Sequence, residues 1–228
     1  MSWRTRTKQA MERVARISAT TGVVVLGNAY NFVSRTRPRT VRRLAGRCQA
    51  KQARETAEQL LRGITRAYDA VPSLTFRLLT AEDVSTGGGG WTFTADNEYK
   101  VSCTLYVTAY YSTQSDVGDV LDEILTAGDR PGSPIPFSHT TTPLHGAREV
   151  GQWVAVGQTL SWDTSQRGVE EPRPCMRQQS DPPVYRCMRE PEDMTVATIR
   201  QIHGTVLQLM LNPVEYFRID KDGTKFTT

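Results

Sequence analysis

The chain has 228 residues, 38% of them hydrophobic and 23% charged, which places it among folded proteins at the polar end. Its length allows one ordinary domain with an appendage, or two small ones. Its net charge of +4 hides a split: residues 1–66 hold 15 basic residues against 3 acids (+12), and residues 67–228 hold 13 against 21 (−8). A basic arm joined to a mildly acidic body is therefore expected, and such an arm is drawn to anionic lipid or to nucleic acid phosphates.

Residues 1–38 form the basic N-terminal segment. Arg4, Arg6, Lys8, Arg13 and Arg16 precede an uncharged run of seventeen residues, Ile17–Val33, and Arg35, Arg37, Arg39, Arg42, Arg43 and Arg47 follow it. Seventeen residues stand at the lower limit for a spanning helix. Ser18, Thr20, Thr21, Asn28 and Asn31 dilute the apolarity, whereas Tyr30 and Phe32 suit a membrane interface. The segment reads as a membrane anchor or as a signal peptide, with Gly27-Asn28-Ala29 as a small-x-small cleavage site. The alternative is a helix packed within a soluble protein. Orientation is contested, because six basic residues after the run against five before it favour an internal body.

Residues 39–72 read as an amphipathic helix, running from about Val41 to Ala70. Its stripe is Ala53, Ala57, Leu60, Leu61, Ile64, Tyr68 and Val71, and Pro72 closes it. Residues 73–228 read as the globular domain. Leu74–Thr80 is expected as a strand, followed by a flexible connection at Ser85–Gly90 that lacks the Lys-Ser/Thr ending of a phosphate-cradling loop. Lys100–Tyr111 is the clearest strand: Val101, Cys103, Leu105, Val107 and Ala109 face the core, and Tyr106 and Tyr110 on the other face are candidate partner-facing residues.

Asp116 is placed to cap a helix carrying Val117, Val120, Leu121 and Ile124, with Gly128 at its end. Its acids Asp116, Asp119, Asp122 and Glu123 read as a solvated face. Prolines 131, 134, 136 and 143 mark a long surface connection over Asp129–His145. Strand sequence returns at Gly151–Trp162, with Val154, Val156, Leu160 and Trp162 on one face. Arg167–Pro191 reads as a second proline-rich loop. Thr195–Ile202 and Thr205–Leu211 are expected to form a hairpin, with Pro213 at an edge or a bulge. The order of elements predicts an α+β fold, a mainly antiparallel sheet packed against one long and one short helix.

Chemistry is sparse. Cys175 and Cys187 lie twelve positions apart and are expected to form a disulfide, which places the body in an oxidising compartment. Cys103 reads as a buried small hydrophobe, and Cys48 has no evident mate. Zinc needs about four close N or S ligands, and the chain has no Cys-x-x-Cys and only His139 and His145 near one another, so no metal or other cofactor is expected. Neither a Gly-x-Ser-x-Gly elbow nor a placed base for His139, His145 or His203 supports catalysis. Trp91, Trp153 and Trp162 read as core rather than as a ligand platform.

Three functions fit this pattern. The leading expectation is a non-catalytic protein, membrane-anchored or exported, associated with lipid through residues 1–38 and presenting a disulfide-containing domain to a protein partner. The second is an intracellular protein whose Arg-rich residues 1–66 bind nucleic acid. The third is an enzyme with an unrecognised site.

Overall fold

The computed structural model describes residues 36–89, 98–142, 144–175, 178 and 182–227. The architecture is α+β: a seven-stranded antiparallel sheet with helices packed on it. The expected class is borne out. The Ile17–Val33 run lies outside the described residues. Among the described residues no helix is long and apolar enough to cross a membrane.

The helical opening consists of α1 (Pro38–Ala45) and α2 (Cys48–Asp69), not one continuous helix over residues 39–72. Pro38 enters at the first turn, where its missing N–H costs nothing. The chain breaks at Gly46 and Arg47, the latter extended at φ −67°, ψ 153°. α2 buries Ala50, Ala53, Ala57, Leu61, Thr65 and Tyr68, a stripe of mostly small residues that lets the helix lie close on the sheet. Leu60 falls off that stripe and is 57% exposed. Full burial of one leucine such as Leu61 stabilises by about 1.5–3 kcal/mol.

The strands are β1 (Thr75–Gly87), β2 (Tyr99–Thr113), β3 (Gln152–Ala155), β4 (Gln158–Trp162), β5 (Val184–Glu190), β6 (Thr205–Asp220) and β7 (Lys225–Thr227). They lie in the order β3-β4-β6-β2-β1-β5, and β7 pairs with the far end of β6. α3 (Val117–Gly128) starts as expected, with the Asp116 carboxylate accepting from Gly118 N at 2.8 Å. α4 (Ala147–Val150) is a single turn, and α5 (Val196–His203) precedes β6.

Several expectations are corrected. β1 continues to Gly87, so Ser85–Gly87 are paired strand and not a loop. Thr195–Ile202 is not a strand: Thr195 caps α5 through Thr198 N at 3.0 Å, and Val196 and Ile199 bury one face at helical spacing. No hairpin therefore joins it to β6. In the β3–β4 hairpin it is Trp153 that shares the core face with Leu160 and Trp162, while Val154 and Val156 are 73% and 95% exposed. The turn at Val156 and Gly157 reverses the face, which simple alternation across it misses. β5 lies within the expected Arg167–Pro191 loop. Pro213, by contrast, sits as expected at a bulge: it lies at a register shift of β6 against β2, past the end of the β6 pairing with β4.

The sheet has two unlike faces. One packs against α1, α2 and α3 and carries the main core, including Leu79, Val107, Ala109, Tyr111, Leu121, Ile124, Phe137, Leu160 and Leu209. The other carries a small cluster of Leu78, Tyr110, Val169, Val196, Ile199 and Val206. The candidate site lies on this second face.

Candidate functional site

Beyond β4 the chain leaves the sheet at Asp163 and returns across its second face as an extended strap, residues 163–175. Side-chain bonds fix each stage of that crossing. The Asp163 carboxylate accepts from Val169 N at 2.7 Å, from Val206 N at 3.1 Å and from Arg200 Nε and Nη2 at 2.9 and 2.8 Å. Burial alone would raise its pKa, but the Arg200 guanidinium and the two amides outweigh burial and hold the carboxyl below its ordinary value. Val169 is buried against Tyr110 and α5. Glu171 accepts from Arg189 Nη2 and from Val196 N, both at 2.7 Å, the second at the first turn of α5. Arg189 Nε also donates to Met194 O at 2.9 Å. Arg173 then stacks over the Tyr185 ring at 5.0 Å.

The crossing ends in a covalent bond: Cys175 is joined to Cys187 of β5, with their Cα atoms 5.2 Å apart. This is the disulfide expected from the sequence. It ties the strap to an edge strand, so the strap cannot swing clear of the sheet without reduction.

Between strap and sheet runs a groove of about 270 Å³. Its floor crosses the strands through Thr80 and Glu82 of β1, Thr108 and Tyr110 of β2, Ser161 of β4 and Gln208 of β6. Tyr106 and Tyr110, the two candidate partner-facing residues, part company here. Tyr106 is 42% exposed, beside Glu82 on the open stretch of the face. Tyr110 is only 1% exposed, because α5 and Val169 cover it. Its hydroxyl accepts from Gln208 Nε2 at 3.0 Å, and burial pushes its pKa up to about 12. Tyr110 is thus a prop for the groove floor rather than an open contact. Glu171 and Arg189 carry the strap, yet in the sequence both lie in the stretch Arg167–Pro191 that reads as a proline-rich loop. Their separation of 18 positions gives no local signal.

Other sequence candidates lie elsewhere. Cys103 is buried and its thiol is pushed up to about 11, mainly by burial, which suits a packing role and not a nucleophile. Cys48 is exposed and free. Trp153 and Trp162 meet edge to face at 5.4 Å in the core, and Tyr111 donates to Thr65 O at 2.8 Å. Trp91 lies outside the described residues. His139 stands between Asp129, 2.6 Å from Nδ1, and Asp122, 3.1 Å from Nε2. Glu123, expected on a solvated face, accepts from Ser73 N and Oγ at 3.0 and 2.7 Å and ties α3 to the loop before β1. Among the described residues, no group of three or more His, Cys, Asp or Glu is arranged to hold a metal ion. Comparison of the chain with protein-family models, with curated proteins and with solved structures gives no match.

Proposed function

We propose that the chain is a non-catalytic protein, anchored in a membrane or exported, whose α+β domain works outside the cytoplasm as a binding or assembly module. One observation carries most of the weight: a disulfide, Cys175–Cys187, pins the strap over the second face of the sheet. Disulfides persist in oxidising compartments and are uncommon where thiols are kept reduced. The fastened strap, the groove beneath it and the open stretch around Tyr106 supply a rigid surface for a protein partner. The uncharged Ile17–Val33 run between arginine clusters supplies the route to the membrane.

The test is fractionation of cells making the full chain, with a carbonate wash, followed by alkylation of thiols with and without reductant. The expected result is retention in the washed membrane or recovery from the exported fraction, with Cys175 and Cys187 labelled only after reduction. Recovery in the cytosol with both thiols freely labelled overturns the proposal and favours the nucleic-acid arm.

A further inference from the structure

The arginines that follow the uncharged run are not spread along a loose tether. From Thr36 to Arg54 the chain carries Arg37, Arg39, Arg42, Arg43, Arg47, Lys51 and Arg54 and no acid. Five of these, Arg37, Arg39, Arg42, Arg43 and Arg47, are exposed on or beside α1. The opposite side of α1 is seated on the body. Val41 and Leu44 are 0% and 7% exposed. Thr36 N donates to Gly88 O at 2.8 Å, and Arg42 Nε donates to Pro183 O at 3.2 Å. A Cβ on Gly87 would stand 2.8 Å from Val41 Cγ2 and 2.9 Å from Thr36 O, so β1 and α1 approach as closely as glycine permits. α1 is therefore a basic plate held rigidly against one end of the sheet.

We infer that α1 is a foot on which the domain stands against an anionic phospholipid surface, with Arg39, Arg43 and Arg47 meeting the headgroups. This inference rests on the membrane-anchor reading of Ile17–Val33. That run ends three residues before Thr36, so a helix in the bilayer would leave α1 no room to sit anywhere but at the headgroup layer. Arginine forks match phosphate oxygens, and basic residues beside a spanning segment are attracted to anionic leaflets. The same end of the body is mixed in sign, with Lys100, Arg218, Lys221 and Lys225 near Glu98, Asp220 and Asp222, and Lys225 Nζ lies 3.3 Å from Gln49 Oε1. It does not cancel the plate. Nucleic acid is the other polyanion these arginines could meet. The lipid surface is favoured by the uncharged run that divides the arginines and by the disulfide, which is rare in the cytosolic and nuclear proteins that meet most nucleic acid.

The test uses the purified full chain and vesicles of phosphatidylcholine alone or in equal mixture with phosphatidylglycerol, read by flotation. The wild type is expected to prefer the mixed vesicles, and the preference to weaken with salt. The triple variant Arg39→Gln, Arg43→Gln, Arg47→Gln is expected to lose roughly a hundredfold of that preference, at about fivefold per arginine near the surface. The matching Arg→Lys triple should keep most of it, which separates lost charge from lost folding. A wild type without preference for phosphatidylglycerol overturns the inference. So does a Gln variant that keeps the preference, or tighter binding to a DNA duplex than to mixed vesicles at equal salt. Failure to float with phosphatidylcholine alone would instead count against the anchor, leaving the foot to be judged on the mixed vesicles.

Discussion

Tyr216 and Asp83 meet across an intervening strand: the Tyr216 hydroxyl of β6 donates to Asp83 Oδ1 of β1 at 2.7 Å, over the top of β2 and beneath α2. Asp83 keeps only 8% of its side-chain surface, and its Oδ2 lies 3.6 Å from both Arg54 Nη1 and Arg186 Nη1. Burial raises the Tyr216 pKa, and the Asp83 charge raises it further, so the phenol stays protonated and remains a donor. Tyr216→Phe should cost about 1.5–3 kcal/mol, the range for a hydrogen bond to a buried charged group. Urea unfolding measures it. A change within about 0.5 kcal/mol, the range of ordinary surface substitutions, would show that the two arginines alone satisfy the carboxylate.

Two glycines should respond in opposite directions. A Cβ on Gly128, at the end of α3, would fall within the Phe137 carbonyl, which is backbone and cannot rotate aside. Gly128→Ala should therefore destabilise by at least about 1–3 kcal/mol, the usual cost of forcing extra volume into a packed site. Gly63 lies in the middle of α2, exposed, with nothing within 4 Å of an added Cβ. Gly63→Ala should stabilise by about 0.4–1 kcal/mol, through a less flexible unfolded chain and better helix propensity. Thermal melts of the two variants together check both signs.

The geometry at His139 favours the protonated ring, since both ring nitrogens face carboxylates and only an imidazolium donates from both. Bonding to Asp129 and then to Asp122 raises its pKa above the ordinary 6.5. The folded value lies above the unfolded one, so the contribution to stability is complete below pH 6.5 and is lost as the pH climbs through the raised value. An NMR titration should find His139 titrating above 6.5 and Asp129→Asn lowering it. Titration of His139 at or below 6.5 in the native protein would show the two contacts to be unformed in solution.

Cys175→Ser with Cys187→Ser should lower stability by about 3 kcal/mol on the chain-entropy model for a loop of this length. Glu171 and Asp163 still hold the strap at its middle and its start, so the domain should fold. Protease cutting between residues 174 and 183 should rise well before global unfolding. Equal stability with and without the bond would mean that the loop is already ordered when reduced.

Local signals made much of the fold legible. The alternation in β2, the Asp116 cap of α3 and the spacing Ala53, Ala57, Leu61, Tyr68 in α2 each follow from one element and its period. The failures came where a neighbour decides. Val196–His203 is rich in β-branched residues and reads as strand, but its Thr195 cap and its seat against Leu78 and Tyr110 make it a helix. That same packing buries Tyr110 while Tyr106, four positions earlier on the same face, stays open. The cysteine pair was legible as a loop staple. The strap itself was not, because Glu171 with Arg189 and Asp163 with Arg200 are long-range pairs without a sequence period.

The most direct measurement is peptide mapping by mass spectrometry of the protein taken from its own cells, alkylated at once and digested without reduction. The expected result is a linked pair of peptides containing Cys175 and Cys187, with Cys48 alkylated in the native state and Cys103 only after unfolding. Recovery of Cys175 and Cys187 as separate alkylated peptides would contradict an oxidising location for the domain, and with it the proposed role outside the cytoplasm.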